Sequence, residues 1–195
     1  MIRRNVFSAL LALGAVVFLA GPTAAQDDTD LQNRLDAAMA VFNSADQYDS
    51  IGLFSEIVSD LEARADLTPE ARGVLARVFF QRAEVHFNFG ENDEAAADLG
   101  SALRTDPNLA INESMISPKL AELLAETRTG IVGFLQSAVL PADAVVHVEG
   151  APPLYSGQQI SLLAGSYSMR IERLGYSGLD LTLEVPAGET TMVQA

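Results

Sequence analysis

Few side chains in this sequence are of types that do chemistry together. There are two histidines and no cysteine. His86 shares a helical stripe with Phe79 and Ala83, so a core or hydrogen-bonded imidazole is expected there. His147 alternates with Val146 and Val148, which predicts the solvent side of a strand. The two lie far apart without an H-x-x-x-H spacing and without thiolate partners, a poor basis for zinc. Glu91, Asp93 and Glu94 cluster between two helical stretches, where capping and compensation of the helix dipole are the expected jobs. The D-x-D-x-D-G order of a calcium loop is absent. Carboxylates are plentiful, so residue type alone leaves a glycosidase pair open. No G-x-S-x-G, phosphate-binding loop or dinucleotide fingerprint occurs. The expectation is therefore no catalytic constellation, no cofactor and no metal. One other set stands out. Arg77, Phe80, Glu84, Phe87 and Asn88 recur at helical spacing, apart from the Phe79/Ala83/His86 stripe. Two aromatic rings flanked by polar and charged groups are the residue types of a partner-binding surface. The alternative is that neighbouring helices cover both rings, because a short helical unit needs a core.

The elements that must position these residues follow from periodicity. Leu31, Leu35, Ala38, Met39 and Phe42 have helical spacing, after a polar lead-in from Gln26 to Asp30. Tyr48, Ile51, Phe54, Ile57, Val58 and Leu61 repeat the pattern. Thr68-Pro69-Glu70 starts a third helix, with Thr68 as N-cap and Pro69 in the first helical position; it should stop at Gly90. A fourth runs from Asn92 to about Arg104, and Ser117-Pro118 opens a fifth that runs to about Arg128. Beyond Thr129-Gly130 the period changes to two. Leu179, Leu181, Leu183 and Val185 alternate with polar residues, as do Tyr167, Met169 and Ile171, which predicts strands with one buried and one wet face.

Charge narrows the partners. The formal net charge is −14 over 195 residues. Two of the 12 basic residues, Arg3 and Arg4, precede every one of the 26 acidic ones. The remainder repels phosphate backbones and anionic membrane surfaces, so no nucleic-acid partner is expected. Arg3 and Arg4, the apolar run Val6 to Ala20 and the small residues Thr23-Ala24-Ala25 have the form of a cleaved secretion signal over residues 1–25, with the cut before Gln26. The run is shorter than the roughly 20 residues of a membrane span, so no stable insertion is expected after cleavage.

Ala76 to Leu109 resembles one tetratricopeptide repeat, a 34-residue helix–turn–helix with size-restricted positions. Phe79 stands at its bulky first position, Ala83 and Ala95 where helices approach closely, and His86 at the usual tyrosine. Phe89-Gly90 closes the first helix, Leu99 and Ala102 pack the second, and Pro107 ends the unit. Arg82 departs from the usual leucine. The Leu31 to Arg64 pair resembles a degenerate second copy. The resemblance implies that Arg77, Phe80, Glu84, Phe87 and Asn88 face a concave groove that meets peptide ligands.

From Pro141 to the C-terminus the chain resembles the PEGA family, a small β-sandwich of exported bacterial proteins. Pro141-Ala142-Asp143-Ala144 stands at the naming motif and keeps its first and last residues. Ala144, Val146, Val148, Glu149 and Gly150 follow its A-x-V-x-V-D-G strand, with Glu for Asp. Leu163-Ala164-Gly165-Ser166-Tyr167 and Gly175-Tyr176 match its later steps, whereas Pro152-Pro153 replaces its usual G-x-T-P. The resemblance implies surface association and binding of polysaccharide or protein.

Together these readings predict α and β structure in separate domains. A tetratricopeptide-like antiparallel helical domain over residues 26–128 is followed by an all-β sandwich over 129–195. The function expected is non-catalytic protein binding or scaffolding at the bacterial envelope, periplasmic or extracellular, with an envelope or secreted protein as partner. The second reading is envelope polysaccharide binding through the sandwich.

Overall fold

The computed structural model describes residues 24–195, with side chains from Thr29 onward. The leader expected over residues 1–25 lies outside the described residues but for its last two. Five α-helices come first: α1 (Ala24–Phe42), α2 (Ser50–Glu62), α3 (Pro69–Asn88), α4 (Asn92–Thr105) and α5 (Pro118–Ile131). The lead-in Gln26 to Asp30 is helical and belongs to α1; nothing from residue 24 to 42 is a glycine or proline that would break it.

Local chemistry sets the helix ends. The Thr68 hydroxyl accepts from the Ala71 N–H at 3.1 Å, with Pro69 in the first turn. Ser117 does the same for the Leu120 N–H at 3.2 Å, ahead of Pro118. α3 stops because Gly90 takes φ +83°, which a Cβ would oppose. The Glu91 N–H then returns to the His86 carbonyl at 2.9 Å and the Gly90 N–H to Phe87 at 3.0 Å, a Schellman closure that sends α4 back along α3. Ala76, Ala83 and Ala95 in this hairpin are fully buried. Phe54, Ile57 and Leu61 of α2, Val78 and Phe79 of α3, Leu99 and Leu103 of α4, and Leu120 and Leu124 of α5 belong to one apolar cluster.

The rest is β structure: β1 (Val132–Ala138), β2 (Val145–Val148), β3 (Leu154–Tyr155), β4 (Gln159–Leu163), β5 (Gly165–Glu172), β6 (Leu179–Val185) and β7 (Thr190–Gln194). They form two sheets, ordered β4-β1-β7 and β3-β2-β5-β6. β1 pairs antiparallel with β4 (Leu135 opposite Ile160) and parallel with β7 (Gln136 opposite Met192). A second apolar cluster draws Leu135, Leu162 and Val193 from the first sheet and Val146, Met169, Ile171 and Val185 from the second.

One expectation changes here. Val185 is buried and Leu183 half-buried, but Leu179 and Leu181 are 46% and 39% exposed. β6 is an edge strand. Only its last residues meet the three-stranded sheet, where the Glu184 carbonyl accepts from the Thr191 hydroxyl and Val185 and Pro186 crowd Gly133. The alternation is regular, yet no second sheet reaches the start of the strand.

Helices and sheets join without a linker, since α5 passes straight into β1. Val132 is fully buried within the helical cluster, and Leu163 of β4 packs against the same cluster. Asn108, after α4, bonds both the N–H and the carbonyl of Ser161.

Candidate functional site

The third helix presents two faces, and they meet different surroundings. One carries Phe79, Arg82, Ala83 and His86 against α2 and α4. Arg82 holds Asp98 through two bonds of 2.7 and 2.6 Å and gives a third to the Ser55 hydroxyl at 3.0 Å. His86 Nδ1 lies 2.5 Å from Glu91 Oε2, and the Tyr48 hydroxyl donates to Glu91 Oε1 at 2.9 Å. The hydrogen bond with His86, then that from Tyr48, holds the Glu91 carboxyl below the usual glutamate range. Glu91 is therefore a structural latch. Asp93 and Glu94 lie in the first turn of α4, where the dipole favours them.

The other face opens on a groove of about 500 Å³. Its floor and one wall are Arg77, Phe80, Gln81 and Glu84 of α3. Met39, Phe42 and Asn43 at the end of α1 form a second wall, and Leu109 to Asn112 with Met115 and Ile116 form the third. A short 3₁₀ turn, Glu113–Met115, capped by the Asn112 side chain on the Ser114 N–H, holds Met115 outward with 79% of its surface exposed. The volume and the mixed lining are those of a small-ligand or peptide-anchor site.

Of the five residues singled out from the sequence, Arg77, Phe80 and Glu84 line this groove. Phe80 is only 6% exposed and serves as floor. Phe87 lies half-buried against the helical core, outside the groove lining. Asn88 is exposed and donates to Gln47 Oε1 at 3.3 Å. The wall from α1 and the 109–116 segment come from parts of the sequence with no spacing that ties them to α3. Gln81 had a usable signal: four residues after Arg77 and three before Glu84, it falls on the same helix face as both.

A few polar groups interrupt the mainly apolar lining of the groove. Glu84 is half-buried, and burial pushes its carboxyl above the usual glutamate value. No described residue gives it a hydrogen bond or ion pair. The Gln81 amide oxygen is buried and accepts from no described residue. The Nε of Arg77 goes to the Gly73 carbonyl of its own helix at 3.3 Å, and no carboxylate among the described residues pairs with it.

A second concave region lies on the outer face of the four-stranded sheet, lined by His147, Arg170, Glu172 and Tyr176 among others. Its charges are mostly spent on one another. Arg170 bonds Glu172 and Asp180, and Arg173 bonds Asp143 and stacks 4.6 Å from the Tyr176 ring centre. His147 is exposed, as its alternation predicted. Among the described residues no group of three or more His, Asp or Glu side chains is placed to hold a metal ion. No helix among them is long and apolar enough to cross a membrane. No family model matches the chain, and no curated protein or solved structure matches it.

Proposed function

We propose that this chain is an exported, non-catalytic binding or scaffolding protein of the cell envelope. It holds a peptide segment of an envelope or secreted protein in the groove between α1, α3 and the 109–116 segment. The observation that carries the reading is the groove itself, a largely apolar trough beside the exposed Met115 whose charged groups have no counter-ion among the described residues. On this reading α3 and α4 are a tetratricopeptide-like hairpin. The tight Ala83 and Ala95 positions and the Gly90 stop support that. The two sheets with one shared apolar cluster support a PEGA-like sandwich as accessory domain. Export rests on the Met1 to Ala25 pattern.

The test uses Met115→Asp, a change at an exposed position that leaves the core intact. Affinity capture from envelope extracts, quantified by mass spectrometry, should return a specific protein with the wild-type chain and lose it with the variant. Equal recovery by both forms refutes the groove as the binding site. Envelope polysaccharide binding through the four-stranded sheet is the second reading, favoured by the 68% exposed Tyr176 ring beside Arg173. Tyr176→Ala should then abolish retention on immobilised envelope glycan, whereas Met115→Asp should leave it unchanged.

A further inference from the structure

Arg77 and Glu84 are the charged groups that line the groove, and neither has a counter-ion among the described residues. A carboxylate drawn half out of water without a partner costs free energy, and so does a buried amide oxygen that accepts nothing. Stability alone would place an apolar or neutral residue at position 84. The two acceptors, Gln81 Oε1 and the Glu84 carboxylate, lie less than a turn apart on the same face of α3, beside the apolar floor of Phe80. Arg77 is two turns back, so cation and anion stand about 10 Å apart along the helix axis. The site thus lacks a donor at one end and an acceptor at the other.

We propose that the groove selects its peptide by charge as well as by apolar fit, accepting a lysine or arginine that pairs with Glu84 and reaches Gln81, next to an apolar side chain seated among Met39, Phe42 and Met115. This rests on the groove being a peptide site. An acidic side chain about three residues away in an extended peptide reaches Arg77, because three residues span roughly 10 Å. Charge complementarity favours a different protein over a second copy of this one. The chain carries −14 overall, with a single lysine, Lys119, so copies repel while a basic segment is drawn in.

A random dodecapeptide phage library, selected on the full-length chain with Met115→Asp as counter-selection, tests this. Enriched peptides should share a Lys or Arg at fixed spacing from an apolar residue. A synthetic consensus peptide, measured by fluorescence anisotropy, should bind Glu84→Gln about tenfold more weakly than wild type, as loss of a charge-assisted hydrogen bond implies. Replacing its basic residue by norleucine should cost a similar factor with wild type and little more with Glu84→Gln. Apolar peptides without a basic residue, or a basic consensus indifferent to Glu84→Gln, overturn the charge rule. If those peptides still fail to bind Met115→Asp, the groove remains a peptide site. No enrichment over the counter-selection sinks both.

Discussion

Arg82 stands on the face of α3 that packs against α2 and α4. Its fork is spent on Asp98, which is 6% exposed, and on Ser55. Removing one partner of such a pair leaves a buried charge uncompensated. Arg82→Ala should therefore cost about 3–5 kcal/mol in urea titration. Arg82→Leu combined with Asp98→Ala should recover much of that, since apolar packing often replaces a buried pair without loss. A double variant as unstable as the single one refutes the ion-pair account. Phe80→Ala should cost about 3–5 kcal/mol for a different reason, the cavity left under the groove, so Met115 is the cleaner probe of binding. Two glutamates respond to pH with opposite signs. Glu91 is held below its unfolded value, so its contribution is present above the unfolded pKa and is lost as pH falls through the folded one. Glu84 is raised above its unfolded value, so its ionisation opposes folding at neutral pH and that penalty is absent in acid. Glu91→Gln should thus lower, and Glu84→Gln raise, the melting temperature at pH 7. Both differences should shrink as pH falls below the usual glutamate value, that of Glu91 vanishing only once its own lowered value is passed. A Glu84→Gln melt below wild type at pH 7 contradicts the unpaired-carboxylate account.

At the scale of elements, two glycines separate helix from strand. Gly52 sits inside α2 with open space where an added methyl would stand, so Gly52→Ala should stabilise by about 0.5–1 kcal/mol. Gly133 in β1 has no such room: a Cβ there would fall 2.2 Å from the Pro186 carbonyl oxygen and 2.6 Å from Val185. The obstacle is backbone as well as side chain, so Gly133→Ala should cost about 1–3 kcal/mol, read as a lower melting temperature. A neutral Gly133→Ala would mean the turn after β6 yields freely. The same contrast explains what could be read in advance. Thr68, Ser117 and Gly90 act within a few residues of themselves, so their caps and stop were legible. The period of two marked which side of β6 faces inward, but Leu179 and Leu181 stay exposed because coverage depends on how far another sheet extends. Likewise Arg77, Phe80 and Glu84 were legible as one helical stripe. Met39, Phe42 and Met115 reach the groove from elements distant in sequence, and no local pattern ties them to α3.

For the whole molecule the junction at Val132 decides how the helices and sheets behave together. A periodicity change between residues 128 and 134 reads as a boundary between independent domains, and residues 130–195 taken alone would be marginal in size. The structure gives that boundary no spacer. Val132 begins β1, yet its side chain is fully buried in the helical cluster, and Leu163 of the partner strand β4 packs there too. Asn108 adds two hydrogen bonds to Ser161 across the same contact. Cutting the chain at residue 130 would bare both apolar side chains and orphan the polar pair. A cleft of about 420 Å³ between Arg72, Leu75 and Pro107 on one side and Leu162, Leu163 and Tyr167 on the other makes the remaining contact loose. Coupling therefore runs mainly through β1 and β4. Val132→Ala should remove about 2 kcal/mol through the cavity it leaves. Because Val132 serves the helical core from within a strand, that loss should reach both parts. Hydrogen exchange read separately over α3–α4 and over β1 and β4 should show protection falling by the same amount in each, and calorimetry should show a single shifted transition. Loss of protection confined to the helices, or two resolved transitions, would establish two independently folding units and make the shared Val132 contact incidental.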